Sequence, residues 1–305
     1  MTTVTTSHAT PEAFYADLTT RNRGFVSDAA QDRLGQLTVL VAGCGSTGGA
    51  AVEPLVRLGV QHFLLAEPGA YELNNLNRQS AFLDEIGENK AVVHARRIAA
   101  VNPHASAHVD TSGITADNAL DLVGRCHVVV DGVDVTEPAG WVAKFLLHEA
   151  AAQVGRPVIS GYDMAGTQYI RFYDYRPGSE PFDGRIDRAG LDEAIATDAT
   201  WELLRKVVPM RVVPVEMLEW ARAMLTSGEE GLPQLVYTSL LFGAAASRMV
   251  VSVSSGTRVR KHTLISVDRA VSTARGRWGA ALRKPVVAVL ALRDLAASRE
   301  ASPHG

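Results

Sequence analysis

The chain has 305 residues, 47% of them hydrophobic and 21% charged, with a formal net charge of −3. That is length for one large or two small domains with a sizeable core, and the slight acidity gives no bulk attraction to nucleic acid. Two cysteines, Cys44 and Cys126, form neither a CxxC pair nor a disulfide framework, so a structural zinc is not expected and a reducing compartment is.

In chain order, residues 1–20 are expected to be a flexible N-terminus without a basic, apolar leader. Residues 13–36 carry a helical lead-in containing Arg21, Arg23 and Arg33. The apolar run Val39–Ala42 predicts a buried strand, and Gly43, Gly45 and Gly48 follow it as GxGxxG before a helical stretch. Strand, tight turn and helix N-terminus form the usual cradle for a nucleotide phosphate. A second strand, His62–Ala66, ends in Glu67, 19 residues after Gly48, where an acid commonly meets a ribose hydroxyl. Residues 68–82 are turn-rich loop, 89–103 a helix stopped by Pro103, and 105–113 a short strand. A helix over 115–124 would be capped by Thr115, and a buried strand over 127–134 ends in Asp131 and Asp134. A long helix over 138–155 closes on Gly155, and two strands over 157–175 join through residues 161–166.

Beyond this point the composition changes. Residues 176–190 are rich in Pro, Gly and charge and predict a surface connection or lid. One or two helices over 191–229 are interrupted near Pro209 and Pro214. An apolar, small-residue helix over 235–256 suits close helix packing around Gly243 to Ala246, and a late strand spans 258–268. Residues 276–299 form an amphipathic helix before a polar tail. The apolar runs are read as too interrupted to cross a bilayer. The alternation predicts a Rossmann-like, doubly wound, mostly parallel α/β sheet with a second-half extension of helices and late strands. The expected divisions are an ATP-binding core over 21–175, a crossover over 176–234, completion of the core sheet over 235–275, and a C-terminal helix and tail over 276–305.

The glycine turn is followed by features that a dehydrogenase has no need of. Arg78, in LNNLNRQ, and Lys90 supply two cations from separate elements, and Asp134 is an acid at a strand end. Two cations and an acid that binds Mg²⁺, directly or through water, suit transfer of a nucleotidyl group from ATP with departure of pyrophosphate. His62, His94, His104, His127 and His148 have no metal-ligand spacing.

VLVAGCGSTGG, LNNLNRQ, GENKA, VNPHA, VVDGVD and the PVISG strand resemble, in order and spacing, the ThiF/MoeB/HesA family of adenylating enzymes related to the ubiquitin-activating enzyme. The resemblance covers about residues 20–175. It implies that Gly43, Gly45, Ser46 and Gly48 approach ATP, that Glu67 holds its ribose, that Asn75, Arg78 and Lys90 meet its phosphates, and that Asp134 handles Mg²⁺. It further implies a homodimer in which Arg23, or failing it Arg21, reaches the partner's ATP. Against the family pattern, Ser46 replaces a glycine, Glu67 an aspartate and Val135 an asparagine, the CxxC pairs are missing, and no cysteine follows Cys126.

The expected function is therefore a cytoplasmic, ATP- and Mg²⁺-dependent adenylyltransferase that activates a carboxylate as acyl-adenylate without a cysteine relay, then passes the acyl group to an amine or other nucleophile in a specialised biosynthetic pathway. The carboxylate would belong to a small molecule, a peptide C-terminus or a carbamoyl-type group on a modified tRNA, nucleic acid and membranes being otherwise outside its partners. An NAD-dependent oxidoreductase and a catalytically silent partner subunit are the rival readings.

Overall fold

The computed structural model describes residues 10–227 and 233–301, with side chains through residue 294. Parallel strands β1 (Thr38–Ala42), β2 (His62–Ala66), β3 (Ser106–Asp110), β4 (Val128–Asp131) and β5 (Val158–Met164) are extended by antiparallel β6 (Thr167–Tyr173) and β7 (His262–Ser266). The sheet order is β3-β2-β1-β4-β5-β6-β7. The winding reverses between β1 and β4, and a crevice opens there at the carboxyl ends of the strands. This is the mostly parallel, Rossmann-like sheet that the alternation predicts.

Helices α1 (Pro11–Leu18) and α2 (Asp28–Gln36) precede the sheet, so residues 11–18 are helical rather than part of a flexible arm. Residues 1–9, expected to be frayed, lie outside the described residues. Helices α3 (Ser46–Leu58) and α4 (Lys90–Val101) lead to α5 (Ala119–Arg125), whose cap is Asn118 and not Thr115. The Asn118 carboxamide accepts from the Thr115 N–H at 2.8 Å, which closes a turn ahead of the helix. Helix α6 (Pro138–Val154) ends on Gly155 at φ +78, the left-handed closure that glycine adopts without a Cβ penalty.

One expectation for the chain after β5 is corrected and one refined. The β5–β6 hairpin turns at Ala165 and Gly166, while Gly161 lies inside β5. A Cβ on Gly161 would stand 2.5 Å from both Phe242 and Thr47, so the strand passes under them only as glycine. The 176–190 segment is the expected surface connection, with most of its residues exposed, but it is pinned by buried Phe182 and Ile186, the Phe182 ring stacking on His148 with centroids 4.0 Å apart. One aromatic and one aliphatic anchor override a polar average.

Helices α7 (Arg188–Ala196), α8 (Thr200–Val207) and α9 (Val215–Ser227) follow, with Pro209 and Pro214 between the last two. Helix α10 (Val236–Ser254) lies along α3, where a Cβ on Gly243 would stand 2.2 Å from the Ala50 carbonyl oxygen. The small-residue stripe serves this close approach. By length and composition α10 could cross a bilayer, contrary to the expectation from sequence, but half of its apolar window is buried inside the fold. Helices α11 (Val267–Val271) and α12 (Ala274–Ala301) complete the chain.

Candidate active site

The three motif glycines do different work at the crevice. Gly43 has φ +79, and an added Cβ would stand 2.4 Å from the Gly132 carbonyl oxygen beyond β4. On Gly48 it would meet the Gly43 oxygen at 2.0 Å, and on Gly132 the Gly48 nitrogen at 2.3 Å. Backbone therefore packs on backbone between the first turn and the exit of β4. Gly45 differs: it caps α3, and its nearest neighbour would be the Gln79 side chain at 3.7 Å. The helix N-terminus behind Gly45 offers free N–H groups and the positive end of the dipole. Beside it, the buried Gln79 Oε1 has no hydrogen-bond partner among the described residues.

Arg78 reaches this turn through Gln234, a residue the motif reading did not single out. The Gln234 Oε1 accepts from Ser46 Oγ at 3.4 Å and from Arg78 Nε. Arg78 Nη1 also donates to the Asn74 carbonyl and to Asn77 Oδ1, each at 2.9 Å. Asn75 is buried and turned inward, its Oδ1 accepting from the Glu72 N–H at 3.2 Å, so that it shapes the loop bearing Arg78.

Glu67 is 7% exposed, and both carboxylate oxygens are engaged: Oε2 by the Cys44 N–H at 2.6 Å, Oε1 by the Gly69 N–H at 2.7 Å. It ties the end of β2 to the glycine turn, and each oxygen keeps a lone pair for a hydroxyl donor. Asn89 caps α4 and donates to the Glu67 carbonyl at 2.8 Å, which sets Lys90 at the start of α4. A Cβ on Gly69 would stand 3.5 Å from Lys90 Nζ and 2.9 Å from Glu67 Oε1, so cation and carboxylate flank that glycine.

Strand β4 stops at Asp131, and Asp134 lies three residues further on, exposed in the loop. Its Oδ1 accepts from the Thr136 N–H at 3.0 Å. A Cβ on Gly140 would stand 1.7 Å from the Asp134 carbonyl oxygen, so glycine lets α6 press against this loop. An exposed carboxylate suits Mg²⁺, which is held by one or two protein carboxylates together with phosphate and water. Arg23 and Arg21 are both exposed, and Arg23 lines a hollow with Tyr15, Thr19, Asp28, Gln31 and Asp32 away from the crevice.

Two further groups lie at the strand ends. Asp131 is fully buried and receives Lys144 Nζ at 2.6 Å, Ser160 Oγ at 2.6 Å and His148 Nε2 at 3.1 Å. Burial pushes its carboxyl up, but the Lys144 ammonium and the His148 hydrogen bond outweigh this and hold it well below the carboxylate range. Burial keeps His148 below its ordinary value, against the pull of Asp131. The neutral ring then donates from Nε2 to Asp131, and its Nδ1 accepts from the Tyr175 hydroxyl at 2.8 Å. Tyr175 in turn accepts from the Phe182 N–H at 2.7 Å, so a buried chain of hydrogen bonds joins the 176–190 segment to the end of β4. The available signal was a lysine and a histidine at i and i+4 in an otherwise apolar helix.

On the other face of β5, Thr47 donates to Asp163 Oδ2 at 3.3 Å, and the Gln168 amide also reaches it. Burial raises the Asp163 carboxyl to about 6, against hydrogen bonds from Thr47 and Gln168 and the charge of Arg78. An acid closing the apolar run VISGY was its sequence signal. Both thiols are buried: desolvation, with Glu67 adding and Lys90 opposing, drives Cys44 well above its ordinary value, and burial takes Cys126 to about 12.

The chain is similar to known proteins over this region. A sulfur carrier protein adenylyltransferase of Thermus thermophilus is 31% identical over 137 residues, covering 45% of this chain and 49% of the relative. A sulfur carrier protein ThiS adenylyltransferase of Bacillus subtilis is 28% identical, covering 51% and 45%. The chain thus spans about half the length of these curated relatives. Among solved structures, PaaA superimposes with TM-score 0.58 at 16% identity over 88% of this chain and 73% of that one. The tRNA N6-threonylcarbamoyladenosine dehydratase TcdA of E. coli does so with TM-score 0.55 at 18% identity over 83% and 98%. These two establish a shared fold. Residues 19–187, more than half of the chain, match the ThiF family, and the chain belongs to it.

Proposed function

We propose that this protein is an ATP- and Mg²⁺-dependent adenylyltransferase that activates a carboxylate as acyl-adenylate. The observation that carries the reading is the convergence of Arg78 and Ser46 on Gln234 beside the Gly45 cap of α3, with Lys90 and Glu67 flanking Gly69 and Glu67 also holding the Cys44 N–H of the turn. Open backbone at Gly45, a helix N-terminus and two cations make a donor set matched to a triphosphate. Both named relatives are adenylyltransferases, and a solved structure of the fold neighbour MccB holds ATP. That shared core favours nucleotidyl transfer over hydride transfer.

In this scheme Glu67 orients the ribose, and Arg78 and Lys90 hold the phosphates, with charge gathering on the pyrophosphate side as the bond to the α-phosphorus breaks. Bound Mg²⁺, met by Asp134, would neutralise part of that charge. Fixed cations act there without reorganisation cost. Neither cysteine suits a thioester relay, since a buried thiol held far above neutral pH supplies no thiolate. The acyl group therefore passes to an amine or another nucleophile. The carboxylate that is activated belongs to a small molecule, a peptide C-terminus or a carbamoyl-type group on a modified tRNA. Cytoplasmic placement and a homodimer in which Arg23 or Arg21 serves the partner's site belong to the same proposal.

Exchange of labelled pyrophosphate into ATP, across carboxylate substrates that include small proteins ending in Gly-Gly, tests it. Arg78→Ala, Lys90→Ala and Asp134→Ala should each lower turnover ~100–1000-fold, and double variants should be scarcely worse than singles. Near-normal exchange in Arg78→Ala or Asp134→Ala would move the centre elsewhere. A melting-temperature rise with NAD and none with ATP and Mg²⁺ would overturn the reaction class.

A further inference from the structure

Beyond the crevice, on the α6 side of the sheet, β6 and β7 carry a second concentration of charge. Arg171 and His262 are cross-strand partners in the β6–β7 register. The Tyr169 hydroxyl meets His262 Nδ1 at 2.7 Å, and the Arg171 guanidinium lies 4.5 Å from the Tyr173 ring centroid. Arg171 is only 2% exposed, and its Nη2 donates to Asp183 Oδ2 at 3.1 Å. Its Nε and the buried Tyr173 hydroxyl have no hydrogen-bond partner among the described residues. A buried guanidinium with an unfilled donor is costly unless a further acceptor arrives.

The surroundings do not balance it. Arg185 and Arg211, both exposed, act together with Arg171 on Tyr169 and on His262. Their other described bonds go to neutral carbonyls or from neighbouring cations: Arg185 Nη1 donates to the Lys206 carbonyl at 3.3 Å, and Lys284 Nζ to the Arg211 carbonyl at 2.7 Å. Asp183, the carboxylate paired with Arg171, also acts on His262. Asp183 holds its place on an unfavourable backbone, since it and Phe182 both have φ +55. For residues with a Cβ that conformation is unfavourable. The side chain of Asp183 is 38% exposed, so solvent reaches it and a competing anion can too.

We infer that this cluster is an anion-binding site, in which Arg171, Arg185 and Arg211 take a carboxylate or phosphate group of a bound molecule, and Asp183 fills the place from within the chain when that molecule is absent. Planar guanidinium groups pair with both anions in a bidentate manner. The site lies two strands away from β4, and its existence does not depend on the adenylation chemistry.

The test is anion rescue of Asp183→Asn, with acetate and inorganic phosphate as the two probes and chloride at equal ionic strength as the control. The variant should melt below the wild type in chloride, regain most of the loss in acetate or phosphate, and bind the restoring anion more tightly than the wild type does. Rescue by acetate assigns a carboxylate ligand, and rescue by phosphate a phosphorylated one. No rise beyond the chloride control with either probe overturns the site. Arg185→Ala combined with Arg211→Ala, in an otherwise native chain, tests it without touching the buried pair. Affinity for the same two anions, measured by calorimetry, should fall about tenfold or more, equivalent to ~1.4 kcal/mol, and an unchanged affinity would overturn the inference.

Discussion

The glycine-turn half of the molecule and the crossover that follows β6 are built on opposite terms. Around β1 and α3 the limiting contacts are backbone against backbone, as between Gly43, Gly48 and Gly132. Between residues 176 and 227 they are side chains inserted into a core already formed by other elements, Phe182 against His148 above all. The first kind of constraint is local and leaves a fixed residue type at a fixed spacing. The second depends on partners distant in sequence, and a run rich in Pro, Gly and charge hides it.

The widest break lies at the buried Lys144–Asp131 pair, since Asp131 also ends the chain of hydrogen bonds that runs through His148 and Tyr175 to Phe182 of the crossover. Removing one partner of a buried ion pair leaves an uncompensated charge and costs roughly 3–5 kcal/mol. Lys144→Ala should lose stability on that scale in urea denaturation, and a loss near zero would mean that Asp131 finds another partner. Phe182→Ala should cost about 3–4 kcal/mol, although its segment has the composition of a surface loop. A near-neutral result in the same assay would mean that Phe182 does not anchor the segment.

Asp163 gives a smaller effect, dependent on pH. Its folded-state value of about 6 lies above the ordinary 3.8. The native state therefore binds the proton more tightly than the unfolded chain, and the associated stability is present below about pH 4 and lost as pH rises through about 6. Asp163→Asn has no proton to lose, so its melting temperature relative to wild type should climb across that interval and level off above it. A difference independent of pH would mean that burial does not perturb the group. The smallest effect is expected from the thiols. Cys44→Ala with Cys126→Ala should leave turnover within about twofold, because neither buried thiol ionises near neutral pH. Lost turnover with ATP binding intact would restore a cysteine relay.

How far the sequence is legible follows the same division. The strand, glycine turn and α3 are visible because Gly43 must adopt φ +79 and Gly45 must cap a helix. The lengths of α6 and α10 follow from apolar runs closed by Gly155 and flanked by polar residues. The cap at Asn118 was displaced by three residues to Thr115, because an Asn side chain can close a turn on a backbone N–H as readily as it can start a helix. Arg78, Lys90, Glu67 and Asp134 are motif residues, each on an element that itself has a local signal. Gln234, Lys144 and Asp163 are not, since their roles arise from pairings across 156, 13 and 116 residues, to Arg78, Asp131 and Thr47. No window on the sequence spans the first and last of those distances, and the 13 residues between Asp131 and Lys144 cross from a strand into a helix, where no single period relates them.

The contact between Gly43, Gly48 and Gly132 has a last consequence. It fixes the gap between the phosphate turn and the exit of β4 with main-chain atoms alone, so no rotamer is available there to widen or narrow it. A crevice of that kind is a rigid gauge, indifferent to what is being activated. Under the proposed adenylation, a change in the carboxylate accepted would then come from segments that can be redrawn without moving the gauge. In this chain those are the hairpin beyond Gly161 and the crossover anchored by Phe182, where side chains rather than main chain set the spacing.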